Sequence, residues 1–293
     1  MSEDLRGTRA LAAPVGAGSA REGASGGAIR LMLSDMDGTL LLPDHTLSPK
    51  VIAAVAQLRD AGVHFSLASA RPPKAMRKQI QQLGIDVPTL AFNGGNLCDV
   101  DGAVLQRHCV DLGAVQTALA LFAEYPVTVW AFADDHWLAH DHSGAYFNTE
   151  LQALGYGPKL VDDYGPYLQR IDKLVATSDD FQLLIDLEKQ LLPLIEGQAL
   201  ASRSQQYYLD VTALAANKGD ALSSLAAYLN IALEQTAAIG DGANDVPMFM
   251  RAGLAIAMGQ ADPAVQAQAD AVTDSNADDG VARAIHEFVL PRV

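Results

Sequence analysis

The chain's 293 residues carry a net charge of −15, with 49% hydrophobic and 19% charged residues. That is the composition of a globular protein with material for one large domain or two ordinary ones. No lysine- or arginine-rich run is present and no apolar run is long enough for a bilayer, which argues against non-specific nucleic-acid binding and against a membrane partner.

Residues 1–28 are rich in Gly, Ala and Ser and lack the apolar core of a signal peptide. They read as a disordered leader, and without a targeting signal the expected compartment is the cytoplasm. Strand and helix patterns then alternate. "IRLMLS" fits a buried parallel strand. "SPKVIAAVAQLRDAG" follows as a helix, with Ser48 as N-cap, Pro49 in its first turn and Gly62 at its end. "VHFSLAS" is a second strand, "PPKAMRKQIQQLG" a second helix and "TLAFNGG" a third strand ending in a loop. This βαβαβ order predicts a parallel sheet with right-handed crossovers. Cys98 and Cys109 flank a predicted hairpin that turns at Asp101-Gly102. Its register sets Cys98 opposite Leu105, so two free thiols are expected.

From residue 110 to about 206 the pattern changes. "VTVWAFADDHWLAHD" predicts two strands joined at Asp134-Asp135, followed by the helical "SGAYFNTELQAL", the strand "KLVATS" and a long helix. Trp130, Phe132 and Trp137 are expected in the interior of this unit, and His136, His140 and His142 as solvated or structural residues. From residue 207 the α/β pattern resumes with "YYLDV". The expected fold class is α/β, a Rossmann-like parallel-sheet core over 29–109 and 207–293 with an inserted α+β cap over 110–206.

Ligands of an open parallel sheet bind beyond the carboxyl ends of its strands. Polar residues gather there: Asp35 and Asp37 after the first strand, Ser69 and Arg71 after the second, Asn93 after the third. Asp241, Asn244 and Asp245 follow a later strand, and Lys218 opens a helix. Clustered carboxylates need a compensating cation, and a hard divalent ion such as Mg²⁺ suits oxygen ligands. Hydroxyl, amide and ammonium donors suit a phosphoryl group.

The four segments "DMDGTLL", "ASAR", "NKGDAL" and "GDGANDVPMF" resemble, in order, the four motifs of the haloacid dehalogenase superfamily. The layout of the insertion and the tail beginning "AMGQADPAV" resemble its Cof-type branch. The resemblance implies a Mg²⁺-dependent phosphatase of small phosphorylated metabolites, of the sugar phosphate, nucleotide or flavin phosphate, or pyridoxal phosphate class. It implies Asp35 as nucleophile and Asp37 as acid and base. The metal ligands would be Asp35, Asp241, the backbone carbonyl of Asp37, and Asp245. Ser69 and Lys218 would hold the phosphoryl group, with Thr39, Arg71, Asn93 and Asn244 close by. Two positions depart from the branch: Ala70 replaces a usual glycine and Gln260 a usual asparagine. Alternatives are a phosphomutase using the same aspartyl-phosphate and a phospho-aspartate signalling module. The chain is expected to act as a monomer or homodimer.

Overall fold

The computed structural model describes residues 27–293. The leader expected over 1–28 lies almost wholly outside them. The first strand, β1 (Leu31–Ser34), is buried at every position, as a strand covered on both faces must be. Ser48 Oγ accepts the Val51 amide at 3.1 Å and Pro49 stands in the first turn, so α1 (Pro49–Asp60) begins at its sequence cap. β2 (His64–Leu67), α2 (Pro73–Leu83) and β3 (Thr89–Ala91) follow. Leu90 bridges in parallel to Ala68, just past β2. β3 also starts a small antiparallel sheet with β4 (Asn96–Cys98) and β5 (Val104–Arg107). A bulge at Leu97/Cys98 places Cys98 opposite Val104 rather than Leu105. Both cysteines are free thiols.

The cap opens with α3 (Leu112–Phe122), then the hairpin β6 (Thr128–Ala133) and β7 (His136–Ala139). Asp134 and Asp135 both take positive φ, 51° and 62°, as the tight two-residue turn requires. Next come α4 (Phe147–Leu154), β8 (Lys159–Leu160), β9 (Ile171–Thr177), α5 (Phe181–Leu194), β10 (Ala199–Gln205) and β11 (Tyr208–Ala213). The strands form one sheet in the order β10-β11-β9-β6-β7-β8. Its outer face packs Leu174, Ala176, Leu209 and Val211 with apolar residues of α3 and α5. One expectation is corrected here. "YYLDV" does not return to the parallel core at residue 207. It is β11, antiparallel to both β9 and β10, and the chain leaves the cap after Ala213.

The core is completed by α6 (Lys218–Tyr228), β12 (Thr236–Gly240), α7 (Val246–Phe249), β13 (Leu254–Ala257), α8 (Pro263–Gln266), β14 (Ala271–Val272) and α9 (Gly280–Ala284). Its sheet is parallel, in the order β14-β13-β12-β1-β2. Met32, Phe65, Ile239 and Ile256 point to the side of α1, α2 and α9. Leu31, Leu33, Ala238 and Ala255 point to the side of α6 and α7. The chain leaves β1 toward β2 and later returns on its other side through β12. The carboxyl ends of β1 and β12 therefore form the switch point where such sheets place ligands. Among the described residues no helix is long and apolar enough to cross a membrane.

The cap's inner face meets the core through α4. Glu150 of α4 is buried and accepts the Tyr208 hydroxyl at 3.0 Å. Burial raises its pKa, opposed by the charge of Lys173. A carboxyl raised in this way keeps its proton in the folded state where the unfolded chain has lost it. Its contribution to stability therefore falls as pH rises from about 4.3, the ordinary glutamate value, to its raised value. Replacing it by the uncharged Glu150→Gln is expected to flatten the pH dependence of Tm across that window. Melting curves from pH 4 to pH 8 test this, and parallel curves for the two proteins would refute it.

Candidate active site

β1 ends at Ser34, and the amide of Asp35 still donates to Ile239 O of β12 at 3.0 Å. The backbone then leaves the sheet in one wide turn. Gly38 sits in it at φ 82°, and a Cβ there would collide with the Asp241 carboxylate. Glycine is thus needed for two reasons, the left-handed backbone and the close approach of the acid. Thr39 Oγ1 donates to Asp241 Oδ1 at 2.8 Å and ties the turn to the end of β12.

Lys218 is the first residue of α6 and is completely buried. Its ammonium donates to Asp35 Oδ1 at 2.5 Å and to Asp245 Oδ1 at 2.6 Å. The other oxygen of Asp245 accepts the amides of Asp241 and Gly242, each at 2.9 Å. Asp35, Asp241 and Asp245 each offer an oxygen within 4.8 Å of the others. Burial raises the pKa of Asp35 to about 8; Lys218 opposes the rise, and the Asp245 and Asp241 charges add to it. Asp241 is raised too, by burial first and against its hydrogen bond from Thr39. Lys218 loses by burial and gains more from Asp245 and Asp35, so it stays charged. Among the described residues one ammonium thus faces a group of three acids, and they leave the site short of positive charge. That deficit, all-oxygen donors and a turn with no room for a side chain fit a hard divalent cation.

Asp37 faces a different partner. The Arg71 guanidinium grips it with both arms, Nε to Oδ2 at 2.7 Å and Nη2 to Oδ1 at 2.5 Å. His45 Nδ1 lies 3.2 Å from the same Oδ1. Burial alone would raise the Asp37 pKa, but Arg71 and His45 outweigh it and hold it below the ordinary range. Arg71 also donates to Ala153 O of α4 at 3.2 Å, so it joins the core loop to the cap.

Ser69 is buried, and its Oγ accepts the Arg71 amide at 3.2 Å. The Asn93 amide donates to Ser69 O at 2.8 Å, and Asn244 Nδ2 donates to Asn93 Oδ1 at 3.3 Å. Phe92 and Asn93 both adopt positive φ, 51° and 56°, a conformation unfavourable for non-glycine residues. The residues singled out in sequence thus form three linked groups. Asp35, Thr39, Lys218, Asp241 and Asp245 make the acid–ammonium cluster. Asp37 with Arg71, and Ser69 with Asn93 and Asn244, lie around it.

Some contributors gave no sequence signal. His45 is an example. Gln260 gave one only as a departure from a family pattern. Its Nε2 donates to Gly38 O at 2.5 Å and its Oε1 accepts the Asn276 amide at 3.1 Å, while Asn276 Nδ2 donates to Leu41 O at 2.8 Å. The two amide side chains brace the turn carrying Asp37. The cap histidines go to separate places. His136 contacts Asp134 O, His140 contacts Val161 O, and the His142 ring lies 5.3 Å from that of Phe147. Trp130, Phe132 and Trp137 are buried on the inner face of the cap sheet.

Residues 32–285 match the sequence model of a family described as haloacid dehalogenase-like hydrolase. Among solved structures, the chain is similar to a haloacid dehalogenase-like hydrolase from Bacteroides thetaiotaomicron, at 24% identity and a TM-score of 0.80. That alignment covers 89% of this chain and 99% of the other. It is similar, at 25% identity and a TM-score of 0.76, to a second Bacteroides thetaiotaomicron protein, characterised among the phosphatases of the superfamily. There the coverage is 92% and 97%. A subclass IIB sugar phosphatase aligns at 23% identity and a TM-score of 0.77, over 88% of this chain and 98% of its own.

The fork on Asp37 makes a direct prediction. In Arg71→Gln the larger of the two interactions that lower the Asp37 pKa is gone, while burial and the weaker His45 contact remain. The Asp37 carboxyl is then expected to titrate above its wild-type value, as followed by carbon-detected NMR. An unchanged titration would show that the fork does not form in solution.

Proposed function

Because the chain belongs to the haloacid dehalogenase-like hydrolases, we propose that it is a Mg²⁺-dependent phosphatase of small phosphorylated metabolites, with Asp35 as the nucleophile. The observation that carries this reading is the placement of Asp35. It stands just past β1, at the switch point beside β12, buried, and next to the one ammonium that the described residues place in an otherwise acidic cluster.

In the first step a carboxylate oxygen of Asp35 attacks phosphorus in line, and the bond from phosphorus to the leaving oxygen breaks. Asp37 gives its proton to that oxygen. In the second step Asp37, now ionised, takes a proton from the water that attacks the aspartyl-phosphate. The phosphorus–Asp35 bond breaks, and Asp35 and inorganic phosphate are regenerated. The pairing of Asp37 with Arg71 and His45 favours its ionised form, which suits the second step. To act as acid in the first, Asp37 has to be released from that fork. Ser69 and Lys218 would hold the phosphoryl oxygens, with Asn244 and Asn93 on the same side. Thr39 steadies the turn through Asp241. Asp35, Asp241 and the backbone carbonyl of Asp37 would hold Mg²⁺, and the ion would neutralise charge on the transferring group. Both Asp245 oxygens are engaged, one by Lys218 and one by backbone amides. Its direct work is to hold Lys218 and the β12 loop, and any contact with the ion is shared with that work.

Phosphate release from a panel of sugar, nucleotide, flavin and pyridoxal phosphates tests the proposal. Turnover is expected with Mg²⁺ and is expected to vanish with chelator. Asp35→Asn should lose at least about 1,000-fold in kcat. Turnover by Asp35→Asn at the wild-type rate would overturn the mechanism. Isomerised sugar phosphate, formed only with a bisphosphate activator, would identify a mutase instead.

A further inference from the structure

Side chains alternate along a strand, so pairing register settles which of them share the inner face of the cap sheet. Phe132, Lys173 and Thr212 stand in one row across β6, β9 and β11. Trp130, Val175 and Asp210 form the next row. This face adjoins the catalytic loops. The Phe132 ring lies 5.8 Å from that of Phe92, whose amide donates to Arg71 O at 3.0 Å and which directly precedes Asn93.

Within that apolar setting sits a charged pair. Lys173 Nζ donates to Asp210 Oδ2 at 3.3 Å and stands 5.4 Å from the centre of the Phe132 ring. Lys173 is 7% exposed and Asp210 3%. Lysine and aspartate are seldom buried this far, and such pairs are weak sources of stability. Nor is this pair needed to join β9 to β11, since a continuous backbone ladder already does so. Its hydrogen bonding is also incomplete. Asp210 Oδ1 is fully buried and finds no donor among the described residues, and the same is true of an acceptor for Trp130 Nε1 in the same row. Buried polar atoms without partners are uncommon and call for an explanation.

We propose that Lys173 and Asp210 read the leaving group of the substrate by taking two neighbouring hydroxyls of a polyol. The inference rests on the phosphatase reading and names the cap residues that select its substrate. A hydroxyl both donates and accepts, an ammonium only donates and a carboxylate only accepts. A vicinal diol satisfies both ends at once. One hydroxyl donates to Asp210 Oδ1, and its neighbour accepts from Lys173. A second phosphate would suit Lys173 alone and would be repelled by Asp210. A flat heteroaromatic ring without an N–H or O–H donor would use Phe132 and Phe92 but would leave Asp210 Oδ1 unpaired. A sugar uses the carboxylate, the ammonium and the aromatic edges together. Access to the pair requires the cap to part from the core, since both residues are buried in the seam.

The test compares kcat/KM for glucose 6-phosphate, mannose 6-phosphate and ribose 5-phosphate with that for p-nitrophenyl phosphate, which has no hydroxyls. In Lys173→Met and in Asp210→Asn, the ratio for the best sugar phosphate over p-nitrophenyl phosphate should fall about tenfold or more. Monodeoxy analogues of that sugar complete the cycle. Loss of one hydroxyl of the diol should cost the wild type about tenfold and cost Asp210→Asn far less. The wild-type deoxy series stands alone if a variant fails to fold. An unchanged ratio in folded variants, or a wild type indifferent to every deoxy change while active on p-nitrophenyl phosphate, overturns the inference and leaves the phosphatase reading intact. A wild type that releases phosphate from no ester at all removes both.

Discussion

Everything in the site depends on one buried ammonium. Lys218 is sealed from solvent between Asp35 and Asp245, and each of those acids belongs to a different part of the sheet's rim. Asp35 ends β1. Asp245 holds the loop after β12 through two backbone amides. One side chain therefore fastens the two strand ends that flank the switch point. Leaving a buried charge unpaired is severe, on the order of 3–5 kcal/mol. The three partners thus fix one another's positions. Their charges do not balance, since Asp241 adds a further carboxylate within reach. The same arrangement that makes the loops rigid also creates the demand for another cation.

The parallel core could be read from the chain almost directly, because strands buried on both faces and helices with caps have different periods. Ser48 and Pro49 marked the start of α1, and the acids at strand ends marked the rim. What the pattern could not supply was strand partnership. "YYLDV" reads as a strand in either sheet, and only pairing with β9 and β10 reveals that β11 belongs to the cap. The bulge that moves Cys98 opposite Val104 is likewise a matter of register. At the site, Arg71 stood out by its place after a strand. Its actual neighbour, the carboxylate of Asp37, depends on how two loops lie against each other. Gln260 and Asn276 brace the Gly38 turn from more than 200 positions along the chain, a separation over which no local pattern carries information.

Asp37 illustrates why the cap cannot be considered only as a cover. Its charge is governed by Arg71, and Arg71 also donates to a carbonyl of the cap helix α4. Glu150 on that helix adds its own carboxyl to the seam and accepts the hydroxyl of Tyr208 of the cap sheet. The environment of a core residue is thus built from both parts of the molecule. Moving them apart changes which groups face Asp37, quite apart from admitting solvent.

The order of the chain has a further consequence. Asp35, Asp37, Ser69, Arg71 and Asn93 all precede the first crossing into the cap, where the Val110 amide joins Ile171 O. Lys218, Asp241, Asn244 and Asp245 all follow the second crossing, after β11 ends at Ala213. No loop of the acid–ammonium cluster is interrupted by the segment that carries Lys173 and Asp210. On the proposed reading, reaction and recognition are therefore written in separate stretches of the sequence, joined at two cut points beside one strand. Such a layout lets the recognition segment be exchanged as a cassette, by recombination or by an engineer, with the chemistry left in place.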